Sequence, residues 1–291
     1  MTSRSPKTLI QFAIRELPLL RGKHRLVHLA APRLGALPEP AYAKLPGGAK
    51  MLLSDGERPD FWYLGSIEPD VTPVFRRQLK EISPSSCFVD VGANRGYYSL
   101  IAAKTHRVFA FEPNPGPLAD LRESLELNGF DSVTLVQAAV SDSSGHGQLH
   151  LHESVTELSS LVQVHDDLDS RIDVDQVTLD EHFRGYPGVT VGLIKMDIQG
   201  AELLALRGAV ETIQRDRPVL IIEEWPFGHA GFGYDTADLK AFLCEQQYKL
   251  YRIDKGRFRW GVVRPAHPTK ADVAVARDAD TNLLCLPSGR L

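Results

Sequence analysis

The chain has 291 residues, of which 43% are hydrophobic and 24% charged, so it is large enough for a substantial core and ordinary in composition for a globular protein. A formal net charge of -4 gives no overall attraction to nucleic acid, and no nucleic-acid partner is expected. The three cysteines, Cys87, Cys244 and Cys285, lie far apart in or beside apolar runs, which argues against a disulfide framework or a zinc site and favours a reducing, cytoplasmic setting.

Before residue 35 the chain is basic, with Arg4, Lys7, Arg15, Arg21, Lys23, Arg25 and Arg33 against Glu16. Arg15, Arg21, Lys23 and Arg25 interrupt every apolar stretch, so neither a signal peptide nor a membrane span is expected. Leu9, Ile10, Phe12, Ala13, Ile14 and Leu17 instead predict a short amphipathic helix. It would dock on the core or on a second subunit, which leaves a homodimer open; contact with an anionic membrane surface is the alternative. Residues 32–48 are rich in Pro, Gly and Ala and read as a linker, so residues 1–60 are taken as an N-terminal extension and 61–291 as the main domain. Residues 51–82 predict a strand or turn and then a helix near the mouth of the site, with Phe61, Trp62 and Tyr63 serving as a lid or as core packing.

The most informative segment is FVDVGANRGYYSLIAAKTHRVFAFE at 88–112. It reads as a buried strand, a Gly/Asn turn, a helix and a second apolar strand ending in Glu112. Gly92 and Gly96 free the backbone for a tight turn and close ligand approach. The dinucleotide fingerprint Gly-x-Gly-x-x-Gly is absent, because Asp90 stands at the first glycine and the pattern is Asp-x-Gly-x-x-x-Gly. A carboxylate there would repel a diphosphate and suit a cationic ligand such as S-adenosylmethionine. Glu112, twenty residues past Gly92, can accept hydrogen bonds from two ribose hydroxyls.

Further along, a helix is expected over 118–127, a strand at 133–136 and a polar stretch SDSSGHG. A strand-like LHLH follows, then a loop to residue 174, a helix or turn at VTLDEHF and a strand at 191–197. A helix from Ala201, a strand at 218–225, a helix DTADLKAFLCEQQ and the strands YKLYRID and TNLLCLP complete the chain. Such alternation builds an α/β fold, a mostly parallel sheet with helices on both faces. Ligands bind there beyond the carboxyl ends of the strands, where Asp90, Glu112, Asp197 and Glu223 should converge.

The motifs VDVGANRGYYS (89–99), FEPNP (111–115), AAVSDSSG (138–145), VTLDEHF (177–183), KMDIQGAE (195–202) and PVLIIEE (218–224) together resemble the FkbM family of S-adenosylmethionine-dependent methyltransferases. The resemblance implies a Rossmann-like, seven-stranded class I methyltransferase sheet, S-adenosylmethionine as cofactor, and O-methylation of a hydroxyl on a sugar, glycan or polyketide-like metabolite. Gln199 stands where the family often has Glu.

Asp90, Gly92, Asn94, Gly96, Glu112, Ala139 and Asp142 are the expected cofactor contacts, the last two because the third strand ends there. Asp197 and Glu223, at adjacent strand ends, are the candidates to orient the acceptor hydroxyl or take its proton, although Asp197 could instead cap the helix that follows. His229, in the segment FGHAGFGY, is the histidine expected to reach the acceptor from a loop. Lys195 shares a strand face with Asp197. Together with Glu202 and Glu68 it is expected on the substrate side, while a Glu202–Arg207 ion pair is the plainer reading. His146, His150, His152, His165, Asp166 and Asp167 lack ligand spacing, so no metal is expected. The competing functions are N-methylation of a small amine, a silent adenosyl-binding module acting through protein contact, and a nicotinamide oxidoreductase.

Overall fold

The computed structural model describes residue 10 and residues 42–53, 68, 70–151, 160–161, 170–253, 257–259, 262–264, 269–270 and 281–289. The expected helix around residues 9–17, apart from Ile10, lies outside these residues. So do Phe61, Trp62, Tyr63, His152, His165, Asp166 and Asp167.

In chain order the strands are β1 (Tyr42–Lys44), β2 (Lys50–Leu52), β3 (Cys87–Val91), β4 (Arg107–Phe111), β5 (Val133–Val136), β6 (Ala139–Val140), β7 (Gly145–Leu151) and β8 (Ser170–Val177). They continue as β9 (Val191–Met196), β10 (Val219–Glu224), β11 (Tyr248–Ile253), β12 (Arg257–Arg259), β13 (Val262–Arg264), β14 (Thr269–Lys270) and β15 (Thr281–Pro287). The helices are α1 (Val71–Glu81), α2 (Tyr97–Ala102), α3 (Pro115–Asn128), α4 (Leu179–Arg184), α5 (Glu202–Arg207), α6 (Val210–Asp216), α7 (Pro226–Gly231) and α8 (Thr236–Glu245).

The central sheet runs β14-β11-β15-β10-β9-β3-β4-β5. From β5 to β10 all neighbours are parallel, whereas β15 lies antiparallel between β10 and β11. The expected seven strands are therefore present, with the two-residue β14 added at one edge. After β3 the chain builds outward through β4 and β5, then returns to place β9 on the other side of β3. Strand order reverses there, and the carboxyl ends of β3 and β9 splay into a crevice.

Both faces of the sheet are covered. Phe88, Leu193, Val219 and Ile221 point to one side, where they meet Val71, Val74, Phe75 and Leu79 of α1 and Leu121 and Leu125 of α3. Val89, Phe109, Ile194 and Ile222 point to the other, against Leu179, Leu203, Leu206, Ile213 and Leu239. The period-two alternation along each strand and the i, i+3, i+4 spacing along α1 produce these faces. Phe75 is fully buried and meets Phe88 and Tyr98 edge to face at 4.9 and 4.7 Å, which fixes α1 beside α2.

Two segments differ from expectation. Within the stretch read as extension and linker, β1 and β2 form a hairpin whose Ala43, Leu45, Ala49 and Met51 join the core. Its backbone is tied to α3 through Asn128 and Ser124. The stretch up to residue 174, expected as a loop, contains the first part of β8, which pairs with β6 and β7 in a separate three-stranded sheet. Its alternation of Ile172 and Val174 with charged residues suits a half-buried strand, and the density of Asp and Arg hid that pattern.

Candidate active site

The turn after β3 is closed by its own hydrogen bonds. The amides of Gly92 and Ala93 both donate to the Phe111 carbonyl, that of Asn94 to Glu112 Oε2 at 2.9 Å, that of Arg95 to Asn94 Oδ1, and that of Gly96 to the Ala93 carbonyl. Five consecutive amides are thus consumed within the protein, and none is left to cradle a diphosphate. Gly92 has φ +79, and a Cβ there would run into the Asp197 carbonyl, so this turn abuts the loop after β9. At φ +84, Gly96 packs on Leu121 and holds α2 against α3.

A cleft with about 550 Å³ of empty space, continuous with solvent, opens at this crevice. Gly92, Asn94, Glu112, Ala138, Ala139, Asp197 and Gln199 line it, with Leu149, Ser160 and Leu161 forming a wall beside the small sheet. Glu112 Oε1 accepts from the Asn114 amide at 2.8 Å, so each carboxylate oxygen holds one backbone donor and keeps a lone pair. Burial pushes this carboxyl up to about 7, with the Asn114 and Asn94 amides working the other way.

On the β9 side stands a polar cluster. Lys195 is 1% exposed and donates to Asp197 Oδ2 at 3.1 Å, while Gln199 Nε2 donates to Asp197 Oδ1 at 3.3 Å and to Glu223 Oε2 at 3.1 Å. Tyr98 donates to Glu68 Oε2 at 2.5 Å, and its ring lies 5.6 Å from the Lys195 ammonium. Burial, the largest single influence, would raise Asp197, but the Lys195 charge and the hydrogen bonds from Glu223, Lys195 and Gln199 together hold the carboxyl below its ordinary value. Burial and then Asp197 push Glu223 well above the usual carboxylate range. Burial raises Glu68 as well, with Lys195 partly opposing. Burial disfavours the Lys195 charge, yet Asp197, Glu68 and Glu223 together raise its pKa. Lys195 is therefore a fixed cation around which the carboxylates are ordered.

The structure thus groups Glu68, Lys195, Asp197 and Glu223 in one polar cluster, of which Asp197 lines the cleft opposite Gly92, Asn94, Glu112 and Ala139. It does not bring in the remaining residues expected here. Asp90 lies 2% exposed beneath the turn, bonded by Ser99 Oγ at 2.6 Å, and is not among the residues lining the cleft. Asp142 is exposed next to Ser143, also outside the lining. Gly96 acts through helix packing.

His229 is a correction. It falls on α7, not in a loop, and is fully buried: Nδ1 lies 3.3 Å from Thr236 Oγ1, Nε2 lies 3.4 Å from Glu202 Oε2, and the ring stacks on Tyr234. No acceptor can reach it there. Glu202 is equally buried and faces this histidine, not Arg207 or a substrate, with Oε1 accepting from the Ile198 and Gly200 amides. That bonding replaces the expected cap, since no side chain caps α5 and Asp197 is free to face the cleft. Among the described residues no group of His, Cys, Asp or Glu is placed to hold a metal ion, and no helix is long and apolar enough to cross a membrane.

Sequence reasoning missed Tyr98, read only as part of a helical run, and the wall of Leu149, Ser160 and Leu161. Ser160 reaches the site only in space, donating to the Gln199 carbonyl at 3.1 Å. No local spacing announces such a contact.

A switch-point crevice on this strand order, with a phosphate-free turn and an acid at the end of the second strand, defines a class I methyltransferase. Residues 90–250 match the model of the methyltransferase FkbM domain, and the chain belongs to that family of S-adenosylmethionine-dependent methyltransferases. It is 25% identical to the hexuronic acid methyltransferase AglP of Haloferax volcanii over 76% of this chain and 87% of that protein. It is 26% identical to the 2-O-methyltransferase NoeI of Sinorhizobium fredii over 53% of this chain and 70% of that one. Among solved structures it is similar to a methyltransferase FkbM from Methylobacillus flagellatus KT, with 21% identity and a TM-score of 0.43. That match covers 69% of this chain and 44% of the other, so the chain spans less than half of that protein's length.

Proposed function

We propose that the protein transfers the methyl group of S-adenosylmethionine to a hydroxyl of a sugar or glycan, in the cytoplasm. The observation that carries this reading is that Glu112 and Asp197 line one cleft, so a diol-binding acid and a hydroxyl-orienting acid face the same space. The names of two relatives, a hexuronic acid methyltransferase and a 2-O-methyltransferase, support it.

The residues present fit the adenosyl cofactor. Its sulfonium would supply a methyl group already activated for in-line displacement. Glu112 would accept from the ribose hydroxyls, Gly92 and Asn94 would allow close approach beside the turn, and Ala138 and Ala139 would flank the base. A turn whose amides are all used internally suits a cofactor without phosphate and disfavours the nicotinamide reading.

On the acceptor side, Lys195 keeps Asp197 ionised, and Asp197 accepts a hydrogen bond from the reacting hydroxyl, fixing its lone pair toward the methyl carbon. Asp197, the acid of the pair held ionised, is also the group placed to take the proton as the new O–C bond forms, while Glu223, held above the ordinary carboxylate range, favours its protonated form beside it. Gln199 sets the spacing of these two acids by donating to both.

Incubating a cell extract with the enzyme and deuterium-labelled S-adenosylmethionine tests the reading. A hydroxylated carbohydrate should gain one labelled methyl group. Label found only on amines would instead establish the N-methyltransferase alternative, and cofactor binding without transfer to any component would favour the silent binding module.

A further inference from the structure

Among the described residues, the large apolar side chain most open to solvent is Phe227, at 60%. It lies in the first turn of α7, immediately after β10 delivers Glu223, and its ring centroid is 5.7 Å from that of the half-buried Trp225. Trp225 continues the extended backbone of β10 with φ -117 and ψ 90, so it falls on the same face as Glu223, two residues earlier. Its ring is held in place by Gly228, where a Cβ would collide with the indole and would also stand 3.0 Å from the Gln199 carbonyl oxygen. The turn that carries this aromatic pair thus packs on the backbone of Gln199, whose side-chain amide joins Asp197 to Glu223.

That juxtaposition has the two-sided character of a pyranose. One sugar face displays C–H groups that pack on aromatic rings, while the rim displays hydroxyls that seek carboxylates and amides. Resting on the proposed hydroxyl-methylating activity, we propose that Trp225 and Phe227 form the wall against which the acceptor's pyranose ring packs, with its rim turned toward Asp197 and Glu223. The pair follows the carboxyl end of β10, separated from Glu112 at the end of β4 by the width of β9 and β3.

Saturation-transfer NMR on the full chain with S-adenosylhomocysteine tests this, using the methyl glycosides of glucose, galactose and mannose, with 4-methylcatechol as a flat acceptor lacking a sugar. The expected result is saturation of the ring C–H protons of at least one glycoside. Phe227→Ser, at an exposed position, should weaken that binding about 3- to 10-fold. Trp225→Phe, which keeps an aromatic face, should weaken it less. Calorimetric affinity for S-adenosylhomocysteine should be unchanged in both, a readout that a general folding defect would move. The inference is overturned if no glycoside binds, if only the catechol is saturated, or if Phe227→Ser binds the glycoside as the wild type does. Failure of the activity itself is read separately, as glycoside binding without any labelled methyl transfer.

Discussion

Gly200 and Gly228 touch backbone to backbone: a Cβ on Gly200 would stand 2.5 Å from the Gly228 carbonyl carbon. This contact docks the loop carrying Asp197 and Gln199 against the turn carrying Trp225 and Phe227, and φ +101 at Gly200 is a conformation that side chains resist. Gly200→Ala should therefore cost at least ~2 kcal/mol of stability and lower kcat, because both halves of the acceptor side shift. Thermal unfolding and methyl-transfer rates check this; an alanine variant as stable and active as the wild type would show that the two loops are not locked together.

Glu112 makes cofactor affinity depend on pH. Burial raises its carboxyl to about 7, so below that value the free protein carries it protonated and one acceptor is lost. Affinity for S-adenosylhomocysteine should then rise from pH 6 to pH 8, approaching about tenfold per unit on the acid side. Glu112→Ala should lose roughly 100-fold at pH 8, because two hydrogen bonds to a charged group vanish. Calorimetry at the two pH values decides it, and equal dissociation constants would remove Glu112 from the site.

The central fold was legible because its signals are local. Buried strands such as Cys87–Val91 and Val219–Glu224 are apolar runs bounded by turn residues, and the fixed spacing from Gly92 to Glu112 places an acid at the next strand end. The grouping of Lys195, Asp197 and Glu223 followed from period-two alternation on neighbouring strands. What stayed hidden depends on tertiary contacts. The sequence places His229 after a strand among glycines, which resembles a loop, but Pro226 at the first position of α7 begins a helix that turns the imidazole into the core. Asp90 was legible as an acid at the turn but not as one facing Ser99, because side-chain direction at a strand end depends on what packs beneath it.

The buried histidine leads to a prediction opposite to a catalytic one. Nε2 of His229 lies 3.4 Å from Glu202 Oε2, and Glu202 in turn holds the Ile198 and Gly200 amides. His229→Ala leaves a cavity and a buried carboxylate oxygen without its neighbour, and should cost ~2–4 kcal/mol of stability. Below the variant's melting temperature, the pH–rate profile should keep its wild-type shape, since no titrating catalytic group is removed. Loss of one limb of that profile, with stability intact, would restore His229 to the chemistry.

Asp90 gives a stability prediction with a definite sign. Its carboxyl is buried, and that burial raises it to about 6, with the Ser99 hydrogen bond and Lys195 pulling it down. In the unfolded chain an aspartate titrates near ~3.9, so the folded protein holds this proton more tightly. The resulting stability is fully present below the unfolded value and is lost as pH rises through about 6, where the buried carboxyl must ionise. Asp90→Asn cannot ionise and can still accept from Ser99. Relative to wild type, its stability should therefore improve as pH rises from 4 to 7, by an amount on the order of 2 kcal/mol. Denaturant unfolding at both pH values measures the difference. If the gap between variant and wild type is the same at pH 4 and pH 7, the carboxylate is not titrating in the folded protein, and its role beneath the turn is that of a permanent charge next to Lys195.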